Sequence, residues 1–126
     1  MKYAVTLLCV LGFWAGPAMA GGILPYSAGQ FAALKRDPGE VVVDVHATWC
    51  STCTAQQAAL KTLLDSDRHR KVTVLVVDFD AQKDVMSKFN VSQRSTLIVF
   101  KRGVEKARST GMTAAGPIGS LLDTGL

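Results

Sequence analysis

Three short runs of almost purely apolar residues constrain the fold of this chain more than any other feature. They are residues 41–45, 72–79 and 96–100, and valine dominates the first two. Runs that are apolar at nearly every position, rather than at alternate positions, are typical of strands buried on both faces. Patterns typical of helices separate them, over residues 48–66 and 80–89. The sequence therefore predicts a central sheet with helices on both of its faces.

The remaining segments complete an α/β pattern. Ser27, with Gln30 three residues later, resembles a capping box that opens a short helix, and this helix ends before Pro38. Residues 104–109 indicate a weak edge strand, and Pro117 suits the first turn of a closing helix. The long helix is expected to bury one face, formed by Ala55, Ala59, Leu60, Leu63 and Leu64. The predicted fold class is α/β, with a central mixed β-sheet.

The first twenty residues are interpreted as a signal peptide rather than as part of the fold. Lys2 provides a short, positively charged N-terminal region, and residues 3–14 are almost wholly apolar. Ala18 and Ala20 are the small residues that a signal peptidase recognises. We expect cleavage after Ala20, one domain over residues 21–126 and a periplasmic or secreted location. An uncleaved membrane anchor is the less favoured alternative, because the apolar run is shorter than the ~20 residues that span a bilayer.

The cysteine count and the charge narrow the function further. Cys9 leaves with the signal peptide, so that the exported chain keeps two cysteines, which form either a structural disulfide or a redox pair. Without Lys2, thirteen basic side chains face ten acidic ones, a net charge of +3. The basic residues are scattered along the chain with few aromatic residues between them. This pattern indicates a solvated surface and no nucleic-acid partner.

The two remaining cysteines, Cys50 and Cys53, lie in the first turn of the long predicted helix. At this spacing they share a helix face at a Cα separation of ~5–6 Å, so a disulfide can form and reopen with little backbone movement. Free N–H groups and the positive dipole end should lower the pKa of Cys50, which makes it the nucleophile. Cys53, one turn further, should be the buried thiol that resolves the mixed disulfide.

Other uses of such a cysteine pair are less favoured by the sequence. A c-type haem needs histidine where Thr54 stands, and structural zinc needs four ligands, whereas the exported chain adds only His46 and His69. We therefore expect no cofactor and no metal. A purely structural disulfide would close a very small loop and would constrain the unfolded chain little.

On these residues the chain resembles the thioredoxin family over nearly all of its exported part. The segment VDVHATWCSTC, residues 43–53, is similar to the active-site segment of that family, with Trp49 before the nucleophile, and residues 100–103 are similar to its turn between the last two strands. Gly111 falls where the family has the glycine that lets a substrate chain approach. The resemblance implies a thioredoxin-like fold and thiol:disulfide oxidoreductase activity.

Asp44 interrupts the first apolar strand, where alternation should point its carboxylate into the protein. Burial should raise its pKa towards neutrality. The resemblance implies that it accepts, through water, the proton of the buried cysteine; the alternative is an aspartate that only bonds backbone. His46 is either a packed neutral residue or a titratable group that tunes Cys50. Aligned on the family, Asp80 is expected near His46, and we predict that the two interact.

The chain departs from the family at two places. Ser51 and Thr52 replace Gly-Pro between the cysteines, and Arg94-Ser95 stands where the family has a cis-proline. A cis bond before serine costs ~2.5–4 kcal/mol, so we predict a trans peptide there. The Ser95 hydroxyl can then approach Cys50, and Arg94 can favour its thiolate or guide acidic substrates; the alternative is that Ser95 is a neutral replacement.

The direction of electron flow is the least determined part of the prediction. We expect neither a large helical insert nor a dimerisation domain after the leader. We therefore expect a monomeric reductant or electron carrier, with a membrane electron donor and with protein or small-molecule disulfides as substrates. An oxidant or isomerase is one alternative. The other is a binding module in which the thiolates hold Cu(I) or a cluster.

Overall fold

The computed structural model describes residues 21–36 and 38–126. The expected signal peptide lies outside the described residues. Along the chain the elements are β1 (Gly22–Pro25), α1 (Ala28–Leu34), β2 (Glu40–His46), α2 (Ser51–Leu64), β3 (Thr73–Asp78), α3 (Lys83–Lys88), β4 (Thr96–Lys101), β5 (Val104–Thr110) and α4 (Ala115–Asp123). None of the helices in the described ranges is long and apolar enough to cross a membrane.

The strands form one mixed five-stranded sheet in the order β1-β3-β2-β4-β5. β3 runs parallel to both β1 and β2, whereas β4 runs antiparallel to β2 and to β5. The predicted mixed sheet is therefore confirmed, and β2 lies at its centre. Because α2 follows directly after β2, the cysteine pair lies at the carboxyl end of the central strand.

Alternate residues of β2 face two separate hydrophobic cores. Val41, Val43 and Val45 pack with α1 and α3 on one face of the sheet. Val42 packs with α2 and α4 on the other face. This arrangement confirms helices on both faces. Since side chains alternate along a strand, Glu40 and Asp44 share the face of Val42.

One strand was missed, and two predictions about α2 need correction. The missed strand is β1, which is short: only four of its residues pair with β3. α2 begins at Ser51 rather than near residue 48, since Cys50 N donates to Ala47 O at 3.2 Å in a turn that precedes the helix. On α2, Ala55 is exposed and the buried positions are Cys53, Gln56 and Leu60.

The helix predicted over residues 80–89 is shortened to α3. The Asp78 carboxylate accepts the backbone N–H groups of Asp80 and Ala81 at 2.8 and 3.1 Å, which holds residues 78–81 in a turn. Aspartate commonly favours turns in this way over a helix interior. α1, by contrast, begins as predicted, because the Ser27 hydroxyl accepts the N–H of Gln30 at 3.1 Å.

Candidate active site

Cys50 occupies the N-cap of α2, between the end of the central strand and the first helical turn. Its backbone is extended, with φ −96° and ψ 111°, and its sulfur accepts the N–H of Cys53 at 3.2 Å. A capping side chain normally supplies oxygen for this bond; here the sulfur takes that place, which favours its negative form. Cys50 is buried except for a small part of its surface, 5%.

Cys53 lies one turn into α2 and is fully buried. Both cysteines are free thiols, so that the structure represents the reduced, dithiol form. The predicted division into an outer and an inner thiol is present in this geometry.

The Ser95 hydroxyl lies between the two sulfurs. Its oxygen is 3.4 Å from the Cys50 sulfur and 3.0 Å from the Cys53 sulfur. A hydroxyl has one proton to donate and lone pairs with which to accept, so Ser95 can donate to a Cys50 thiolate while it accepts from a Cys53 thiol. Serine at this position therefore contacts both reacting atoms.

The backbone of Ser95 is held in an unusual conformation by three hydrogen bonds. Its φ of +61° is in the left-handed region, and the Arg94-Ser95 peptide is trans, as predicted, since the described backbone contains no cis bond. Ser95 N donates to Val45 O at 2.8 Å, and Ser95 O accepts from Gly111 N at 2.9 Å. The amide of Gln56 donates to Ser95 O at 3.1 Å.

Gln56 is the residue of this site that the sequence reasoning missed. It is fully buried, and its amide nitrogen also donates to Met112 O at 2.9 Å. It thus joins the loop of Ser95 to the loop after β5. The sequence did contain a signal, since Gln56 lies three residues after Cys53 on the same helix face. A buried amide needs hydrogen-bond partners, so a glutamine on that face indicates polar contacts beside the cysteines.

The environment separates the pKa values of the two thiols. Burial is the largest single influence on the pKa of Cys50 and would raise it, but hydrogen bonds from the Cys53 side chain and from Ser95 oppose this effect. With the Cys53 backbone N–H and the Arg94 guanidinium, they lower the Cys50 pKa to about 7. For Cys53, burial and then the neighbouring Cys50 raise the pKa. Near neutral pH the outer cysteine is therefore the better nucleophile.

Asp44 is fully buried on the face of β2 that α2 covers. Neither of its carboxylate oxygens has a hydrogen-bond partner among the described residues. Burial, followed by the charge of Cys50, raises the Asp44 pKa to about 7. The predicted burial and the predicted direction of the pKa shift are confirmed, and the alternative of a backbone-bonded aspartate is not supported. Such a group can gain or lose a proton near neutral pH.

No hydrogen bond or ion pair joins His46 and Asp80 in the part of the chain that the structure describes, so the predicted interaction is not found. The Asp80 carboxylate instead accepts the indole N–H of Trp49 at 2.7 Å. His46 is half-buried, and its Nδ1 has no partner among the residues that the structure describes. His46 ends β2, and its register partner on β3 is Asp78.

A groove lies beside the sulfurs, with a volume of about 300 Å³. Arg94 and Gly111, both predicted as binding residues, line it together with Ser95. Gly111 has a φ of +87°, and a Cβ there would meet no atom within 4 Å, which leaves open space for an approaching chain. Trp49, which directly precedes Cys50, is 58% exposed.

The site offers few side chains that could bind a metal ion. No group of three or more His, Cys, Asp or Glu side chains with metal-binding geometry occurs in residues 21–36 and 38–126. The two thiolates are the donors that could hold a soft ion, with the Ser95 hydroxyl beside them.

A mixed sheet with a Cys-x-x-Cys pair at a helix N-terminus, one thiol activated and one buried, defines the class of dithiol-disulfide exchange proteins. The sequence model of the family described as Thioredoxin matches residues 25–124. The chain belongs to the thioredoxin family.

Individual relatives agree with this assignment. The chain is 36% identical to thioredoxin of Echinococcus granulosus over 85 residues, 68% of this chain and 77% of that protein. It is 38% identical to thioredoxin of Chlamydia trachomatis over 74 residues, 59% of this chain and 71% of that protein. The solved structure of Trxlp from Edwardsiella tarda superposes with a TM-score of 0.77 and 37% identity, over 80% of this chain and 98% of that one. The protein is accordingly a thioredoxin-type thiol-disulfide oxidoreductase.

Proposed function

We propose that this oxidoreductase is an exported reductant or electron carrier, in which Cys50 is the nucleophile and Cys53 the resolving thiol. The observation that carries the proposal is the Ser95 hydroxyl between the two sulfurs, 3.4 and 3.0 Å away. It can stabilise one sulfur as thiolate while it accepts from the other as thiol. That is the state from which reduction of a substrate disulfide starts.

The reaction then takes two exchange steps. The Cys50 thiolate attacks one sulfur of the substrate disulfide, forms a mixed disulfide and releases the first substrate thiolate. Cys53 loses its proton and attacks the Cys50 sulfur, so that the second substrate thiolate leaves and Cys50–Cys53 becomes a disulfide. The substrate gains two electrons and the protein loses two.

Asp44 accepts the Cys53 proton in this scheme. Its buried carboxylate has no partner among the described residues, and its pKa is raised to about 7, so it can take a proton near neutral pH. The resemblance to thioredoxins implies that an intervening water carries the proton.

The direction of electron flow is supported by the Cys50 pKa of about 7. Thioredoxin, a reductant, has a nucleophile pKa of ~7, whereas the strong oxidant DsbA has one of ~3.5, because a very stable thiolate favours the reduced form. Export is supported by the signal-peptide pattern of residues 1–20. An exported reductant needs a membrane electron donor, and we propose that it acts as a monomer on protein disulfides.

The test uses the mature protein and two cysteine variants. Cys50→Ser should abolish the reduction of a protein disulfide by a small dithiol, and Cys53→Ser should trap mixed disulfides that a non-reducing gel displays. Ser51→Ala, at an exposed position between the cysteines, is the matched control and should keep turnover. The reduction potential of the pair should lie near the ~−270 mV of thioredoxin.

Two results would contradict this proposal. A potential near −120 mV would make the protein an oxidant. Stoichiometric copper in protein purified under reducing conditions, together with no turnover, would favour the binding module. Export is checked separately. The protein is recovered from the periplasm, and its mass should be that of a chain that begins at Gly21.

A further inference from the structure

We propose that Arg94 makes this oxidoreductase select disulfides that have an acidic residue next to the attacked cysteine. The inference rests on the proposed function only in taking Cys50 as the nucleophile. Its basis is the charge of the groove beside the sulfurs. Among the described residues that line this groove, Arg94 is the only charged one; the others include Thr52, Ser92, Gln93 and Thr110.

Arg94 is held in place over the exposed tryptophan. Its guanidinium carbon is 4.7 Å from the centre of the Trp49 ring, a cation-π distance. Trp49 is fixed in turn by its hydrogen bond to Asp80, 2.7 Å long. The guanidinium therefore has a defined position on the surface that a substrate must approach, with less rotational freedom to lose on binding.

Arg94 forms no ion pair with a carboxylate of the described residues. In the described part of the chain, ion pairs join Arg68 with Asp123 and Arg108 with Glu105, but none involves Arg94. The nearby Asp80 carboxylate accepts the Trp49 indole instead. The ammonium of Lys83 lies 3.3 Å from the centre of the Phe79 ring, which packs against Trp49, and adds to the positive charge on this side.

The reaction itself changes the partner of Arg94. In the dithiol form, the Cys50 thiolate lies close enough for Arg94 to lower its pKa. When Cys50 attacks the substrate, its sulfur becomes neutral in the mixed disulfide, and the negative charge leaves with the departing substrate thiolate. Arg94 then lies beside the new S–S bond, and none of the ion pairs of the described residues gives it a counter-charge. A glutamate or aspartate next to the substrate cysteine restores one, and a lysine adds repulsion.

The expected preference is about three- to tenfold in kcat/KM at low salt, the range of a single ion pair at a solvent-accessible site together with electrostatic steering. It should shrink as ionic strength rises, because exposed charges are screened. Arginine can bind a carboxylate with two parallel hydrogen bonds, and lysine cannot, so Arg94→Lys should keep only part of the preference.

The experiment compares two disulfide peptides that differ only in glutamate or lysine beside one cysteine. The mature protein should reduce the glutamate peptide faster. Arg94→Gln should bring the ratio of the two kcat/KM values close to one, and Arg94→Glu should invert it. Assays at a pH well above the Cys50 pKa keep the thiolate formed in all variants, so that the ratio reports recognition rather than ionisation.

Arg102→Gln is the matched control. Arg102 is exposed in the turn between β4 and β5, at the opposite end of the sheet from the cysteines, and its replacement removes the same charge. The glutamate preference should survive in this variant. Equal rates for both peptides in the unsubstituted protein, or a preference that Arg94→Gln retains, would overturn the inference while leaving the oxidoreductase function intact. Failure to reduce either peptide would instead count against the proposed function.

Discussion

The two ends of the central strand each carry a buried carboxylate, and the two differ in what lies beside them. Glu40 begins β2 and Asp44 lies four residues later, on the same face. The side-chain oxygens of Asp44 have no hydrogen-bond partner among the described residues, whereas the Gly125 backbone approaches those of Glu40, and burial is the largest cause that raises each pKa to about 7. Only Asp44 has the cysteine pair next to it. A shifted pKa by itself therefore does not identify a catalytic group.

The neighbours of Glu40 are charges of both signs rather than thiols. Lys101, its register partner on β4, lowers the Glu40 pKa, and Asp123 raises it. The Gly125 backbone lies against the carboxylate, so closely that a Cβ there would collide with it. A cavity of about 650 Å³ opens beside Glu40, with Arg68 and Lys71 in its wall. This end of the strand has charge without a reactive atom.

The largest expected effect is on stability, and here the two carboxylates should behave alike. Each folded-state pKa is about 7, raised from 3.8 for Asp44 and 4.5 for Glu40. The folded protein therefore holds more protons than the unfolded chain between these values, and stability falls as pH rises from about 4 to about 7. Asp44→Asn and Glu40→Gln should each increase the free energy of unfolding at about pH 8, by roughly 4 kcal/mol for Asp44 and roughly 3 kcal/mol for Glu40, whose pKa is shifted less.

Denaturant unfolding at several pH values checks this expectation. Near pH 4 each variant should match the unsubstituted protein, because the carboxyls are then protonated in the folded state. Asp67→Asn, an exposed aspartate near the Glu40 end, is the control and should change little. A gain in stability that is equally large at both pH values would mean that burial of the charge is not its cause.

The next effect is on catalysis, and here the two ends should differ. Asp44→Asn should slow the second exchange step by about a hundredfold near neutral pH, since a general base of this kind contributes ~10²-fold or more. Glu40→Gln should leave this rate within about twofold. Single-turnover release of substrate from the mixed disulfide, followed against pH, measures the step.

The pH profile gives this comparison its sharpest form. In the unsubstituted protein, the rate of the second step should rise with pH through the Asp44 pKa, and this rise should disappear in Asp44→Asn and persist in Glu40→Gln. An Asp44→Asn variant with an unchanged profile would show that Asp44, like Glu40, is a buried carboxylate with no part in proton transfer.

The smallest effect concerns the Ser95 hydroxyl. Ser95→Ala should raise the pKa of Cys50 by roughly half a unit to one unit, because one hydrogen bond to the thiolate is lost. The pH dependence of alkylation by iodoacetamide measures this pKa. The matched control is Ser92→Ala, which replaces an exposed serine three residues earlier and should leave the pKa of Cys50 unchanged.

A second variant separates the hydroxyl from the backbone. Alanine is disfavoured at the positive φ of Ser95, whereas glycine is not, and Ser95→Gly also lacks the hydroxyl. Both variants should raise the Cys50 pKa. If glycine leaves it unchanged, the sulfur owes its ionisation to the helix terminus and to Arg94 rather than to Ser95.

Much of the fold and the central pair of the site follow from local patterns. The three apolar runs gave β2, β3 and β4 nearly to their ends, and the Ser27 cap marked the start of α1. Burial of Asp44 followed from its place in an apolar strand. The errors lie where one side chain has several possible partners. The Asp78 carboxylate holds a turn where the helix was predicted to begin, and the Asp80 carboxylate bonds Trp49 rather than His46.

The sequence by itself determined the spacing of Cys50 and Cys53, their place at the start of a helix and the order of strands and helices, because these depend on residues close together in the chain. Only the tertiary structure decided that Ser95, 45 residues from Cys50 and 42 from Cys53, places its hydroxyl between the sulfurs. It also decided that Gln56 fixes the Ser95 loop and that Arg94 stacks on Trp49. Such contacts depend on sheet register and on hydrogen bonds that must be satisfied after folding, and no local periodicity encodes them.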